Sequence, residues 1–176
     1  MQVILISGKA RAGKDLSANI LKEEFVKEGK TSIILHYADF LKSFCREHLS
    51  YKGKDVEGGR ELLQWFGTDV VRNNYEDTWV DMMFALLKGI RSEYDCVIIP
   101  DVRFPNEIEK IKNNFKSVTL RIVRNNEKNE LSNDEKKHLS ETALDDYEFE
   151  HVIFNNGTID ELKNSLSYFK SFCKEK

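Results

Sequence analysis

The feature that most constrains this chain lies between residues 8 and 15: Gly8-Lys9-Ala10-Arg11-Ala12-Gly13-Lys14-Asp15. It follows an apolar strand-like run, Val3 to Ile6, and precedes a helical pattern carried by Leu16, Ile20, Leu21 and Phe25. GxxxxGK in that setting suits a loop wrapped round a phosphate. Glycine lets the backbone close on an anion with several N–H groups pointing inward. The helix N-terminus adds positive potential, and the lysine reaches the outer phosphates. The alternative is an ordinary glycine-containing turn, against which the flanking strand and helix argue.

Further apolar runs follow at Ser32 to His36, Cys96 to Ile99, Val118 to Val123 and Val152 to Phe154. They are continuous rather than alternating, as expected of strands buried on both faces of a parallel sheet. Between them lie helical stretches at about 14–28, 40–49, 59–73, 79–93, 106–113 and 159–173. This order predicts a three-layer α/β fold with helices on both faces of the sheet and right-handed crossovers. With 176 residues and no repeat or linker, the chain is expected to form one domain over residues 1–176. The polar stretch Asn125–Tyr147 reads as a flap.

Composition excludes other classes. Hydrophobic residues make up 40%, with 11 Phe, 6 Tyr and 2 Trp, too much buriable surface for a disordered chain. Apolar runs are too short for a membrane span. The N-terminus has neither a charged leader nor a small-residue cleavage site, and a cytoplasmic location is expected. A net charge of −3 argues against a nucleic-acid polymer as partner, while leaving room for a small anionic ligand at a local positive cluster. Cys45, Cys96 and Cys173 are far apart, show no metal-ligand spacing and read as reduced thiols.

Four groups of residues carry candidate chemistry. Asp15 stands where a phosphate loop usually has Ser or Thr for Mg²⁺. Its carboxylate could hold the cation, or it could simply cap the helix. Asp101 and Arg103 follow the third strand in Pro100-Asp101-Val102-Arg103-Phe104-Pro105, at the strand end where open α/β folds place ligands. Asp101 could hold Mg²⁺ or orient a nucleophile, and Arg103 could grip a transferring phosphoryl group; a surface ion pair is the other reading. Arg60, Gln64, Thr68 and Arg72, spaced by four, form a polar helical stripe, with Leu63, Phe66 and Val70 facing the core. The stripe suits a ligand with a phosphate and a hydrogen-bonding ring, or is a solvated face. Trp65 and Trp79 are expected in the core. Arg124 ends the fourth strand as a possible lid arginine. His138 reads as a surface residue, and Arg121 has no role assigned.

GKARAGKD, RELLQWFGTDVVR with Trp79, PDVRFPNEIE and HLSETALDDYEFEHVIFNNG together resemble the bacteriophage-type deoxynucleoside monophosphate kinases. Animal phosphomevalonate kinases share the GKD loop and the SE..LD tail more distantly. The resemblance runs from the first strand to about Leu162. It implies a P-loop kinase fold with a five-stranded parallel sheet in the order 2-3-1-4-5, ATP–Mg²⁺ as donor, a nucleoside monophosphate as acceptor, and a homodimer. It also implies an acceptor-binding helical insert at about 40–93 and the flap at about 125–147. By the same resemblance the loop from Gly8 through Leu16 binds the ATP phosphates, and Arg11, Arg60, Gln64, Thr68, Arg72 and Arg103 surround the acceptor and transferring group. Arg124, Ser140 and Glu141 match positions near the donor side or flap. Asn155, Asn156 and Gly157 fall after the last strand, where this class holds adenine by backbone contacts. Many relatives have Thr after the GKD aspartate; Leu16 stands there, so that threonine's metal role is absent. A phosphomevalonate-type kinase and a non-catalytic nucleotide-binding protein are the alternatives.

Overall fold

Successive side chains of the first strand, β1 (Gln2–Ser7), enter two separate cores, Ile4 and Ile6 on one face and Val3 and Leu5 on the other. The same alternation recurs in β3 (Cys96–Ile99), where Ile98 joins the first core and Val97 and Ile99 the second. Two-sided burial of this kind is why these runs read as continuous apolar segments. The computed structural model describes residues 1–125 and 137–175, with side chains to residue 173. Its sheet adds β2 (Ser32–Ile34), β4 (Lys116–Val123) and β5 (His151–Phe154) in the order β2-β3-β1-β4-β5, all parallel. This is the order implied by the resemblance.

The helices are α1 (Lys14–Lys27), α2 (Tyr37–His48), α3 (Gly59–Gln64), α4 (Thr78–Gly89), α5 (Pro105–Lys112), α6 (Leu139–Thr142) and α7 (Ile159–Glu175). Helix α1 brings Ala18, Leu21 and Phe25 to the first core, and α7 brings Leu162, Leu166 and Phe169. The opposite face is covered by α2, α4 and α5 through Tyr37, Trp79, Met83, Leu87, Ile108 and Ile111. Among the described residues, no helix is long and apolar enough to cross a membrane.

Several expectations change. Leu16 points outward at 41% exposure, and Ala18 takes its place in the apolar face. Strand β2 stops at Ile34 and α2 starts at Tyr37, three residues before the periodicity suggests. The cause is distant: Asp101 accepts hydrogen bonds from the Tyr37 and Ala38 amides, at 3.0 and 2.9 Å, and so begins the helix early. The helix expected over 59–73 is α-helical only to Gln64 and π-helical over Trp65–Arg72. There Trp79 Nε1 donates to the Gly67 carbonyl at 3.0 Å. A Cβ on Gly67 would stand 2.6 Å from Leu41, so this backbone lies tight against α2. Trp79 is buried as expected, but Trp65 is 52% exposed. Leu63 lines the cavity described below, and Val71 rather than Val70 packs on the second core beside Phe66.

The short helix α6 in the flap region was not foreseen. Its N-cap is His138, whose Nδ1 accepts from the Ser140 amide and lies 2.8 Å from Ser140 Oγ, so this histidine is built into the flap. Leu144 is buried against the second core. Residues 126–136 of the expected flap lie outside the described residues.

Candidate active site

The bend between β1 and α1 leaves the helix N-terminus uncapped by any side chain, with Gly13 in the left-handed region at φ +99°. Asp15, in the first turn, does not cap it; its Oδ1 lies 3.3 Å from His36 Nε2. That hydrogen bond holds the Asp15 carboxyl below, and the His36 imidazole above, their ordinary ranges. The first-turn amides therefore keep the anion-binding character of a helix N-terminus. Asn155 supports the loop from behind, its Nδ2 donating to the Ala12 carbonyl at 2.9 Å. A Cβ on Gly13 would collide with that Nδ2. We expect Gly13→Ala to cost about 1–3 kcal/mol through backbone strain and to weaken triphosphate binding; an unchanged melting temperature would contradict the tight fit.

Lys14 donates from Nζ to the Lys9 carbonyl at 2.9 Å. Burial, and then the nearby Arg103 guanidinium, pull its pKa down to about 8, against the opposing pull of Glu141, Asp15 and Asp101. The lysine is thus held in a site where its charge is costly without an anion beside it.

Ala10, Arg11, Lys14 and Asp15 line one side of a cavity of about 330 Å³. Its other walls come from α2, α3, the π-segment and the loop after β3, bringing Arg60, Gln64, Thr68, Arg72, Asp101 and Arg103 to the same space, with Ser140 and Glu141 from the flap. All four stripe residues reach it. On an α-helix a spacing of four drifts round the axis, and the i→i+5 bonding of the π-segment widens the turn and reduces that drift. Seven Lys and Arg face five Asp and Glu in the lining, a local positive excess in a chain of net charge −3.

The loop after β3 is tightly held. Arg103 Nη1 donates to the Ser140 carbonyl at 2.9 Å and pairs with the Glu141 carboxylate. Lys9 Nζ donates to the Glu141 carbonyl at 2.6 Å and pairs with Asp145. Ser140, Glu141 and Asp145 are thereby held against Lys9 and Arg103. Gly8 and Lys9 border a small side cleft with Arg103 and Arg121. Arg121, unassigned from sequence, donates to Ser7 Oγ at 3.2 Å and reaches Asp145 at 3.3 Å.

Beyond the loop residues Gly8, Lys9, Ala12 and Gly13, which do not line the cavity themselves, four sequence-derived candidates lie away from it. Arg124 is exposed past the end of β4, Leu16 faces outward, and Asn155 and Gly157 stand after β5, Asn155 behind the phosphate loop. Conversely, His36, Lys42, Lys54 and Glu107 line the cavity without having been singled out. The strand-end rule that drew attention to Asp101 applies equally to the β2 end and would have found His36.

The donor set fits Mg²⁺. In phosphate sites this ion uses one or two carboxylates and completes its shell with phosphate oxygens and water. Asp15 and Asp101 both line the cavity beside Lys14 and could supply such a pair, each Asp101 oxygen keeping a second lone pair beside the amide it accepts.

Sheet order, uncapped loop and cavity together define a protein of the P-loop kinase fold. Solved structures of that fold agree: shikimate kinase from Aquifex aeolicus superposes with a TM-score of 0.57 at 17% identity, covering 97% of this chain and 96% of that one. The Mycobacterium tuberculosis APS kinase CysC, in complex with AMPPNP and APS, superposes with 0.53 at 9% identity, covering 97% of each. Within that class, the chain belongs to the deoxynucleotide monophosphate kinase family, whose profile matches residues 34–166. It is 34% identical over 113 residues to the deoxynucleotide monophosphate kinase of Enterobacteria phage T4, and 32% over 109 residues to that of Escherichia phage RB69. Each match covers 61% of this chain but only 44% and 42% of those relatives, less than half their length.

Proposed function

We propose that the chain transfers the γ-phosphoryl group of ATP to a deoxynucleoside 5′-monophosphate, giving ADP and a deoxynucleoside diphosphate. One observation carries this reading: the phosphate-loop lysine and the arginine-bearing polar stripe open onto the same cavity, with Arg103 near enough to depress the Lys14 pKa. Two anionic groups can then meet where cations are already arranged. Family membership supports the deoxynucleotide acceptor.

In this reading the loop amides from Gly8 to Leu16 and Lys14 hold the donor phosphates, and Asp15 and Asp101 would hold Mg²⁺, which would supply charge neutralisation there. Arg11, Arg60 and Arg72 attract the acceptor phosphate, while Gln64 and the buried Thr68 offer hydrogen bonds to a base edge. An acceptor oxygen attacks the γ-phosphorus, the bond to the bridging oxygen breaks, and ADP leaves. The acceptor phosphate is already largely ionised at neutral pH, so no general base is needed; alignment and charge neutralisation carry the rate. Arg103 sits to grip the transferring group, and Ser140, Glu141 and Arg124 belong to the closing side. Asn155 and Gly157 border the adenine end. The helical segment at about 40–93 then serves as acceptor insert of a single kinase domain.

An ADP-release assay over all ribo- and deoxynucleoside monophosphates tests this. ADP should appear only with a monophosphate present, and faster with deoxyribose acceptors. ADP production that ignores the monophosphate, or none with any of them, would end the reading.

A further inference from the structure

Glu107 lines the cavity and is only 3% exposed. Its Oε1 accepts from Arg72 Nη2 at 2.6 Å, and its Oε2 accepts from the Arg103 and Phe104 amides at 2.7 and 3.2 Å. The Phe104 ring lies under the Arg72 guanidinium, 3.8 Å from centroid to Cζ. One carboxylate therefore ties the last residue of the polar stripe to the backbone that carries Arg103. Its own carbonyl accepts from Tyr37 Oη at 3.3 Å, at the start of α2.

We propose that Glu107 is a positioning residue for phosphoryl transfer, setting where Arg103 stands relative to the acceptor side of the cavity. This rests on the reading that the cavity takes an acceptor monophosphate. Three donors converge on its two oxygens, and only a carboxylate can accept them all. An isosteric amide would turn its NH₂ either to the Arg72 guanidinium or to two backbone amides, donor against donor. Capping of α5 alone would need neither Arg72 nor complete burial.

Glu107→Gln separates positioning from mere support of the fold. Positioning predicts a kcat lower by tenfold or more and a raised acceptor KM. The ATP KM should stay within about twofold, because Glu107 makes no contact with the phosphate loop. It also predicts non-additivity, since in an Arg103→Met background Glu107→Gln should lower kcat no more than about twofold further. A folded Glu107→Gln enzyme with kcat and acceptor KM within twofold of wild type would overturn the proposal, as would full multiplication of the two losses. If Glu107→Gln does not fold, Glu107→Asp, which keeps the charge but draws the carboxylate back from Arg72 and the Arg103 amide, is put through the same kinetics and decides between the same two outcomes. Wild-type enzyme is assayed alongside. Its failure to transfer to any nucleoside monophosphate would defeat the acceptor reading and this inference together, whereas an active wild type with an unaffected Glu107→Gln defeats only the inference.

Discussion

The Lys14→Met variant is expected to lose roughly a hundred- to a thousandfold in phosphoryl transfer and yet to melt several degrees higher than wild type near pH 7. The two effects share a cause. Folding draws the Lys14 pKa down from 10.5 to about 8, chiefly by burial, so the folded chain disfavours the charge that triphosphate binding requires. The penalty is fully present below pH 8, fades between pH 8 and 10.5, and is gone above. It amounts to roughly 3 kcal/mol, less about 1 kcal/mol for the hydrogen bond to the Lys9 carbonyl. The melting-temperature gap should be widest at pH 7 and close as the pH approaches 10.5. Scanning calorimetry of both ligand-free proteins across this range checks it. Equal melting temperatures at pH 7 would show that the lysine is not held against its charge.

Arg103→Met should lose a comparable or larger factor in kcat, about 10²–10⁴, but with the opposite effect on stability. Its partner, the Glu141 side chain, is 3% exposed, and removing the guanidinium leaves a buried carboxylate unpaired. That costs about 3–5 kcal/mol when a buried pair is broken from one side; the 32% exposure of Arg103 places this case at or below the lower end. Arg103→Met/Glu141→Gln should recover most of the stability and none of the activity. Recovery of both would mean that Arg103 only neutralises Glu141 and has no part in the transfer.

What was legible in the sequence was local. The strand, glycine bend and helix from Val3 to Phe25 are adjacent in the chain, and two-faced burial leaves its mark as continuous apolar runs. The sheet order came from the resemblance of several motifs; periodicity does not encode it. The stripe of Arg60, Gln64, Thr68 and Arg72 was visible as spacing, though not the π-turn that aligns it, within which the Gly67 carbonyl accepts from the distant Trp79. The early start of α2 was hidden for the same reason, because its cap, Asp101, lies more than sixty residues away. Glu107 follows Pro105 and Asn106 and reads as an ordinary first-turn acid; only folding brings Arg72 against its other oxygen. Arg121 falls on the strand face opposite Leu120 and Ile122, and the Asp145 it meets belongs to the flap.

In the proposed reaction, donor and acceptor phosphates meet in one cavity. A bisubstrate analogue, adenosine and deoxythymidine joined 5′ to 5′ through five phosphates, tests it in a single calorimetric titration with Mg²⁺. One molecule should bind per chain, and prior saturation with either ATP or a deoxynucleoside monophosphate should weaken it. Two molecules per chain, or competition by ATP alone, would place the acceptor elsewhere and contradict the shared cavity.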